Sequence, residues 1–305
     1  MTAIQGNWEA NTFHCSSCRY EEVDCNCEDF RNLSNELDLY LNQAIGGAEK
    51  REKYQGFNHL DTMDYVLIAY MGEVPIGCGA LREYSQERNR RSIEIKRVFV
   101  KEAYRTQGVA TGIMQRLLGY ARKNGYEEVL LETGEFLNAS CKLYNRFGFE
   151  QIPNYGVYVN MEESLCMKKV LEEIRYSRER FFVEEEVQDL YESVGWLSAR
   201  YPKRLVQAFQ KAGTVISAWE GNYLIGLVEV LDDGELTAYV HYLLVRPEYQ
   251  KQGVGKHLLE LVKEQYKNYL YLIVICEEKK TIGFYEEIGF TYVKQASPLQ
   301  ILKAE

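Results

Sequence analysis

The segment VFVKEAYRTQGVA, Val98 to Ala110, returns 145 residues later as LLVRPEYQKQGVG, Leu243 to Gly255. Within it Val100, Tyr104, Gln107, Gly108 and Val109 recur as Val245, Tyr249, Gln252, Gly253 and Val254. YNRFGF from Tyr144 then recurs as YEEIGF from Tyr285, at an offset of 141. Two signatures in the same order at nearly the same separation mark a duplicated domain, because solenoid units are shorter and more numerous. The 305 residues leave room for two domains at about 150 residues each. The expected division is 1–171, with 1–19 as an extension, and 172–305.

Each copy reads alike at low resolution. An amphipathic helix opens it, Phe30 to Ala44 or Glu184 to Val194, and strands follow. These are Tyr65 to Tyr70, Pro75 to Arg82 and Ile93 to Val100, then Thr214 to Trp219, Tyr223 to Leu231 and Leu236 to Val245. After each glycine signature, apolar residues at helical spacing predict a helix (Val109, Ile113, Met114, Leu117; Val254, Leu258, Leu259, Val262). A further strand, Glu128 to Glu132 or Tyr269 to Ile275, precedes a short helix ending at Gly-Phe. Hairpin and crossover connections together predict an α/β (α+β) architecture, a mixed sheet with helices on both faces.

Composition narrows the function. A net charge of −9 disfavours a nucleic-acid partner, which needs a basic stripe for the phosphates. The run YLYLIVIC, Tyr269 to Cys276, is too short to cross a bilayer and reads as a strand buried on both faces. The opening MTAIQGNWEANTFH has no apolar core, so no signal peptide and no membrane association are expected. A cytoplasmic location and reduced thiols at all eight cysteines follow as expectations. His14, Cys15, Cys18, Cys25 and Cys27 cluster, but their arms are too uneven for a zinc knuckle, and ordinary thiols are expected. YEEVDC, from Tyr20, reads as a strand.

The chemistry falls at the turn between strand and helix. In Arg105, Thr106, Gln107, Gly108, Val109 and Ala110, and in Gln250, Lys251, Gln252, Gly253, Val254 and Gly255, the chain leaves a strand and opens a helix. The first N–H groups of a helix have no internal partner, and its dipole adds positive potential. Glycine lets the main chain approach an anion without a Cβ in the way. The turn therefore reads as a pyrophosphate cradle. It is neither a GxxxxGK[ST] phosphate loop nor the three-glycine dinucleotide fingerprint.

Through these residues the chain resembles the GNAT acetyltransferase superfamily. RTQGVA and QKQGVG match its [RQ]xxGx[GA] motif, and Tyr144-x3-Gly148-Phe149 and Tyr285-x3-Gly289-Phe290 match its YxxxGF motif. The resemblance covers both halves and implies two tandem GNAT-like domains, each a mixed, mostly antiparallel sheet flanked by helices. It implies acetyl-CoA as co-substrate, held by backbone of Val98, Phe99 and Val100, or Leu243, Leu244 and Val245. Residues 105–111, ending at Thr111, and 250–256, ending at Lys256, would hold the pyrophosphate. Asn138, six residues before Tyr144, matches a CoA-contacting Asn; Lys279 stands at that place in copy two.

The resemblance makes Tyr144 and Tyr285 candidate general acids. Glu94, thirteen residues before Gln107, matches the position of a catalytic carboxylate; copy two has Tyr239 there, with His241 two residues on. The expected activity is direct N-acetyl transfer to a primary amine of a small molecule or protein. Two alternatives stand beside it: an acyl-CoA-binding sensor without turnover, or one catalytic domain with a degenerate structural copy. Cys141 lacks a nearby histidine and reads as a packed thiol.

Overall fold

Runs rich in Val, Ile, Leu and Tyr build one sheet in each copy. The computed structural model describes residues 18–47, 49, 59–84, 90–276 and 279–294. They fall into two compact units divided between Glu172 and Glu173.

In the first unit, β1 (Cys18–Val23), β2 (Tyr65–Met71), β3 (Val74–Tyr84) and β4 (Ser92–Val100) pair antiparallel in succession. β5 (Glu128–Gly134) joins β4 in parallel. With β6 (Glu150–Ile152) and β7 (Ser164–Val170), the sheet order is β1-β2-β3-β4-β5-β7-β6. Helix α1 (Glu28–Ile45) packs Phe30 and Leu33 against Val66, Ile68 and Phe99 on one face. Helix α2 (Val109–Lys123) packs Ile113, Met114, Leu117 and Leu118 on the other, where helix α3 (Asn138–Arg146) adds Tyr144. Each fully buried aliphatic chain contributes about 1.5–3 kcal/mol, so this stripe fixes α2 on the sheet.

The second unit repeats the plan. β8 (Ile174–Ser177), β9 (Thr214–Glu220), β10 (Tyr223–Asp232), β11 (Thr237–Val245) and β12 (Tyr271–Val274) form a sheet of order β12-β11-β10-β9-β8. Helix α4 (Glu184–Ser193) and helix α5 (Pro202–Lys211) share a core containing Leu190, Tyr191, Leu205 and Phe209. Helix α6 (Val254–Gln265) packs the opposite core, and the short helix α7 (Ile282–Glu287) follows.

Three expectations change. α5 is absent from the sequence reading, although Pro202 at its first turn and the Leu205–Phe209 spacing mark it. β12 is not buried on both faces: Leu272 and Val274 pack on the core, while Tyr271 and Ile273 are 56% and 44% exposed. That alternation belongs to a strand with one buried face. Cys18 is disulfide-bonded rather than reduced. Cys25 and Cys27 are free thiols as expected, while His14 and Cys15 of the same sequence cluster lie outside the described residues. Among the described residues no cluster of metal-ligating side chains occurs, and no helix is long and apolar enough to cross a membrane.

The β10–β11 connection carries its own acid sensitivity. Asp233 Oδ1 accepts the backbone N–H groups of Glu235, Leu236 and Thr237 at 3.0, 2.8 and 3.0 Å. These bonds hold its carboxyl at about 2. The lowered value means the turn is stabilised above the unfolded Asp value of about 3.9 and loses that stabilisation as pH falls toward 2. Carboxyl carbon NMR of Asp233 is expected to show the low midpoint; a midpoint near 3.9 would contradict the turn geometry.

Candidate active site

The two sheets fork at the same residue. β4 and β5 pair from Ser92↔Glu128 to Ile95↔Leu131 and then part. β11 and β12 pair from Thr237↔Tyr271 to Val240↔Val274 and then part. The parting leaves backbone groups of Val98, Phe99 and Val100 without a β5 partner, and those residues line a cleft of about 700 Å³. α1 walls the cleft with Leu37, Tyr40 and Leu41, and α3 walls it with Leu143 and Tyr144.

The cradle closes one end. Thr106 and Gly108 have φ of 63° and 80°, matched by Lys251 at 60° and Gly253 at 87°. Gly108 and Gly253 are the N-caps of α2 and α6, and neither cap carries a side-chain hydrogen bond. The free helix N–H groups thus point out of a concave turn, a geometry suited to an anion. Side chains hold the turn from behind in both copies. Arg105 Nε donates to Val100 O at 3.0 Å, and Gln250 Nε2 donates to Val245 O at 2.9 Å. Gln107 Nε2 donates to Ala103 O at 3.1 Å, and Gln252 Nε2 to Glu248 O at 2.6 Å. Both glutamines brace the preceding turn.

In the first unit Arg105, Thr106, Gly108, Val109, Ala110 and Thr111 line the cleft, joined by Lys142 and Arg146 from α3. This end is cationic in a chain of net charge −9. Gln107 and Asn138 are not among the lining residues; Asn138 is exposed at the first position of α3. The donors, cations and open strand edge fit a pyrophosphate joined to an extended amide arm.

Tyr144 also lines the cleft and is 7% exposed. Burial, with the Glu132 carboxylate as a lesser cause, raises its hydroxyl well above the ordinary tyrosine value. It therefore keeps its proton at neutral pH, and the same burial makes it a weaker acid than an exposed tyrosine. Glu132 lines the cleft as well, its Oε1 accepting Ser164 Oγ at 2.7 Å.

Glu94 departs from expectation. It is fully buried and does not line the cleft. Arg82 Nη2 donates to its Oε2 at 2.7 Å, and the Tyr155 and Tyr158 hydroxyls donate to Oε1 at 2.9 and 3.3 Å. Lys96 Nζ stands 3.7 Å from Oε1 and donates to the Tyr158 hydroxyl at 2.6 Å. This carboxylate is held by two cations and two hydroxyls, and its neighbour Lys96, not Glu94 itself, lines the cleft. Burial lowers Lys96 and raises both tyrosines.

The sequence model of the Acetyltransferase (GNAT) family matches residues 29–149 and again residues 172–290. The chain belongs to the GNAT family. Each match takes in one cradle and one Tyr-x3-Gly-Phe segment. The chain is 34% identical over 105 residues to the uncharacterized N-acetyltransferase YsnE of Bacillus subtilis, covering 34% of this chain and 67% of that protein. It is 29% identical over 125 residues to human N-acetyltransferase 8, covering 41% of this chain and 46% of that protein. A GNAT family acetyltransferase structure from Streptococcus pneumoniae superposes with a TM-score of 0.39 at 26% identity, covering 44% of this chain and all of that one.

The second GNAT unit carries its candidates on β11, on α6 and on or just before α7. Leu243, Leu244 and Val245 lie on β11 beyond the fork. Gly255 is half-buried on α6, Lys256 is exposed and pairs with Glu260, and Val254 is buried in the core. Tyr285 is half-buried on α7 and packs edge-on against Phe290. Lys279 is exposed. Sequence reasoning missed Glu132, Lys142, Arg146 and the α1 wall, since only the folded chain brings them beside the fork.

Proposed function

We propose that the chain transfers an acetyl group from acetyl-CoA to a primary amine of a small molecule or protein, with the first-unit cleft as its site. The observation that carries this reading is the fork of β4 from β5 with the doubly left-handed cradle at its mouth. N–H groups of residues 106–111, with Arg105, Lys142 and Arg146, hold the pyrophosphate. The β4 edge at Val98–Val100 pairs with the amide arm and aims the thioester at Tyr144.

The amine must lose a proton as it attacks, and Glu132, a carboxylate lining the cleft, receives it. Tyr144, which lines the same cleft, protonates the departing thiolate. Glu94 carries no proton in this scheme; it fixes Lys96 and Tyr158. The second unit shares the cradle and fork, and the Gln250–Lys256 turn holds acetyl-CoA in the same manner.

Thiol release from acetyl-CoA over spermidine, tyramine and a lysine-containing peptide tests the reading. Turnover is expected with at least one amine, about 100-fold slower in Tyr144→Phe with the fold retained. Binding of acetyl-CoA without turnover on any amine would favour a sensor. Full turnover in Tyr144→Phe would make that tyrosine a packing residue.

A further inference from the structure

The β10–β11 register slips between Glu229↔Tyr242 and Val230↔Val240, which makes His241 the extra residue of a β-bulge. A bulge bends its strand and re-aims the side chain it carries. His241 Nδ1 lies 2.8 Å from Glu229 Oε2. The Glu229 side chain is 1% exposed, whereas that of His241 is 37% exposed, so the pair runs from the sheet interior outward. A buried carboxylate persists only with a donor, and an ionised one can only accept. With Glu229 as a carboxylate, Nδ1 donates the shared hydrogen and Nε2 is the nitrogen left to accept a proton. The Tyr242 ring, with its centroid 4.0 Å from that of His241, packs along the imidazole and limits its rotation.

Position gives the pair its meaning. Val240↔Val274 is the last pair joining β11 to β12, so His241 is the first residue of β11 past the fork. The residue at the same register in the first unit is Lys96, which lines the cleft. Lys96 is tied into the Glu94 and Tyr158 network. At this point the second unit instead presents a partly exposed base backed by a buried acid.

We propose that His241, oriented by Glu229, is the general base of a second acetyl-transfer site in the 173–305 unit. This rests on the reading that the second cradle holds acetyl-CoA. The amine nitrogen bonds to the acetyl carbon as the carbon–sulfur bond breaks. His241 Nε2 takes the proton from the amine, and the Tyr285 hydroxyl gives one to the thiolate; the products are the N-acetylated amine and CoA. Glu229 touches neither reactant and is a positioning residue, fixing the tautomer as carboxylates do for histidine bases.

The test uses the full chain with Gly108→Glu, which silences the first cradle. With only four histidines, ring carbon–proton NMR resolves His241, assigned by its loss in His241→Gln. Acetyl-CoA is expected to shift the His241 signal, and not when Gly253→Glu is added. Thiol release over spermidine, tyramine and a lysine-containing peptide should fall at least 10-fold in kcat in His241→Gln. Glu229→Gln should lower kcat while the KM for acetyl-CoA stays unchanged. A His241 signal unmoved while calorimetry shows one acetyl-CoA bound overturns the base and leaves the cradle reading intact. No acetyl-CoA bound by this background overturns the second cradle itself. Binding with no release on any amine, or equal kcat in His241→Gln, overturns the catalytic role.

Discussion

Glu94→Ala is expected to destabilise the first unit by about 3 kcal/mol, since removing one partner of a buried ion pair strands the others. The lower end of the usual range applies because Arg82 is 25% exposed, whereas Lys96, at 6%, has little access to water. Tyr155 and Tyr158 lose their acceptor at the same time. Hydrogen exchange in peptides covering β3 and β4 should accelerate roughly 100-fold, the rate equivalent of that energy. Adding Lys96→Met, which removes one stranded cation, should recover part of the loss. A stable, slowly exchanging Glu94→Ala protein with turnover abolished would return Glu94 to the role of base.

The second large effect concerns Glu132. Glu132→Gln keeps the shape and an acceptor for Ser164 Oγ but cannot take a proton. A loss of about 100-fold in kcat is expected, in the range that general bases supply, with little change in the KM for acetyl-CoA. The unit should remain folded, since β5 still pairs with β4 and β7. An unchanged kcat, measured where chemistry limits the rate, would remove Glu132 from the proton path.

Legibility of these features in the sequence followed how local their causes are. The cradle was readable because its conformation depends on adjacent residues, with left-handed φ at Gly108 and Gly253 and at Thr106 and Lys251. The helix after it was readable from apolar spacing alone. The fate of Glu94 was not, because the hydroxyls of Tyr155 and Tyr158 arrive from beyond β6, about sixty positions along the chain. Gln107 misled for a different reason: a motif position does not say which way a side chain points, and its amide turns back to Ala103. The Glu229–His241 pair depends on a bulge, which strand patterning does not reveal. α5 was marked by Pro202 and the Leu205–Phe209 spacing, but the duplicated pattern offered no counterpart to search for.

The central claim is that each fork and cradle holds one acetyl-CoA. Calorimetric titration of the full chain with acetyl-CoA tests it most directly, using Gly108→Glu, Gly253→Glu and the double variant. A glutamate at either position meets both a left-handed backbone and the charge of the pyrophosphate, so each should abolish its own site. Two sites are expected in the parent, one in each single variant and none in the double variant. Unchanged stoichiometry in both single variants would contradict it.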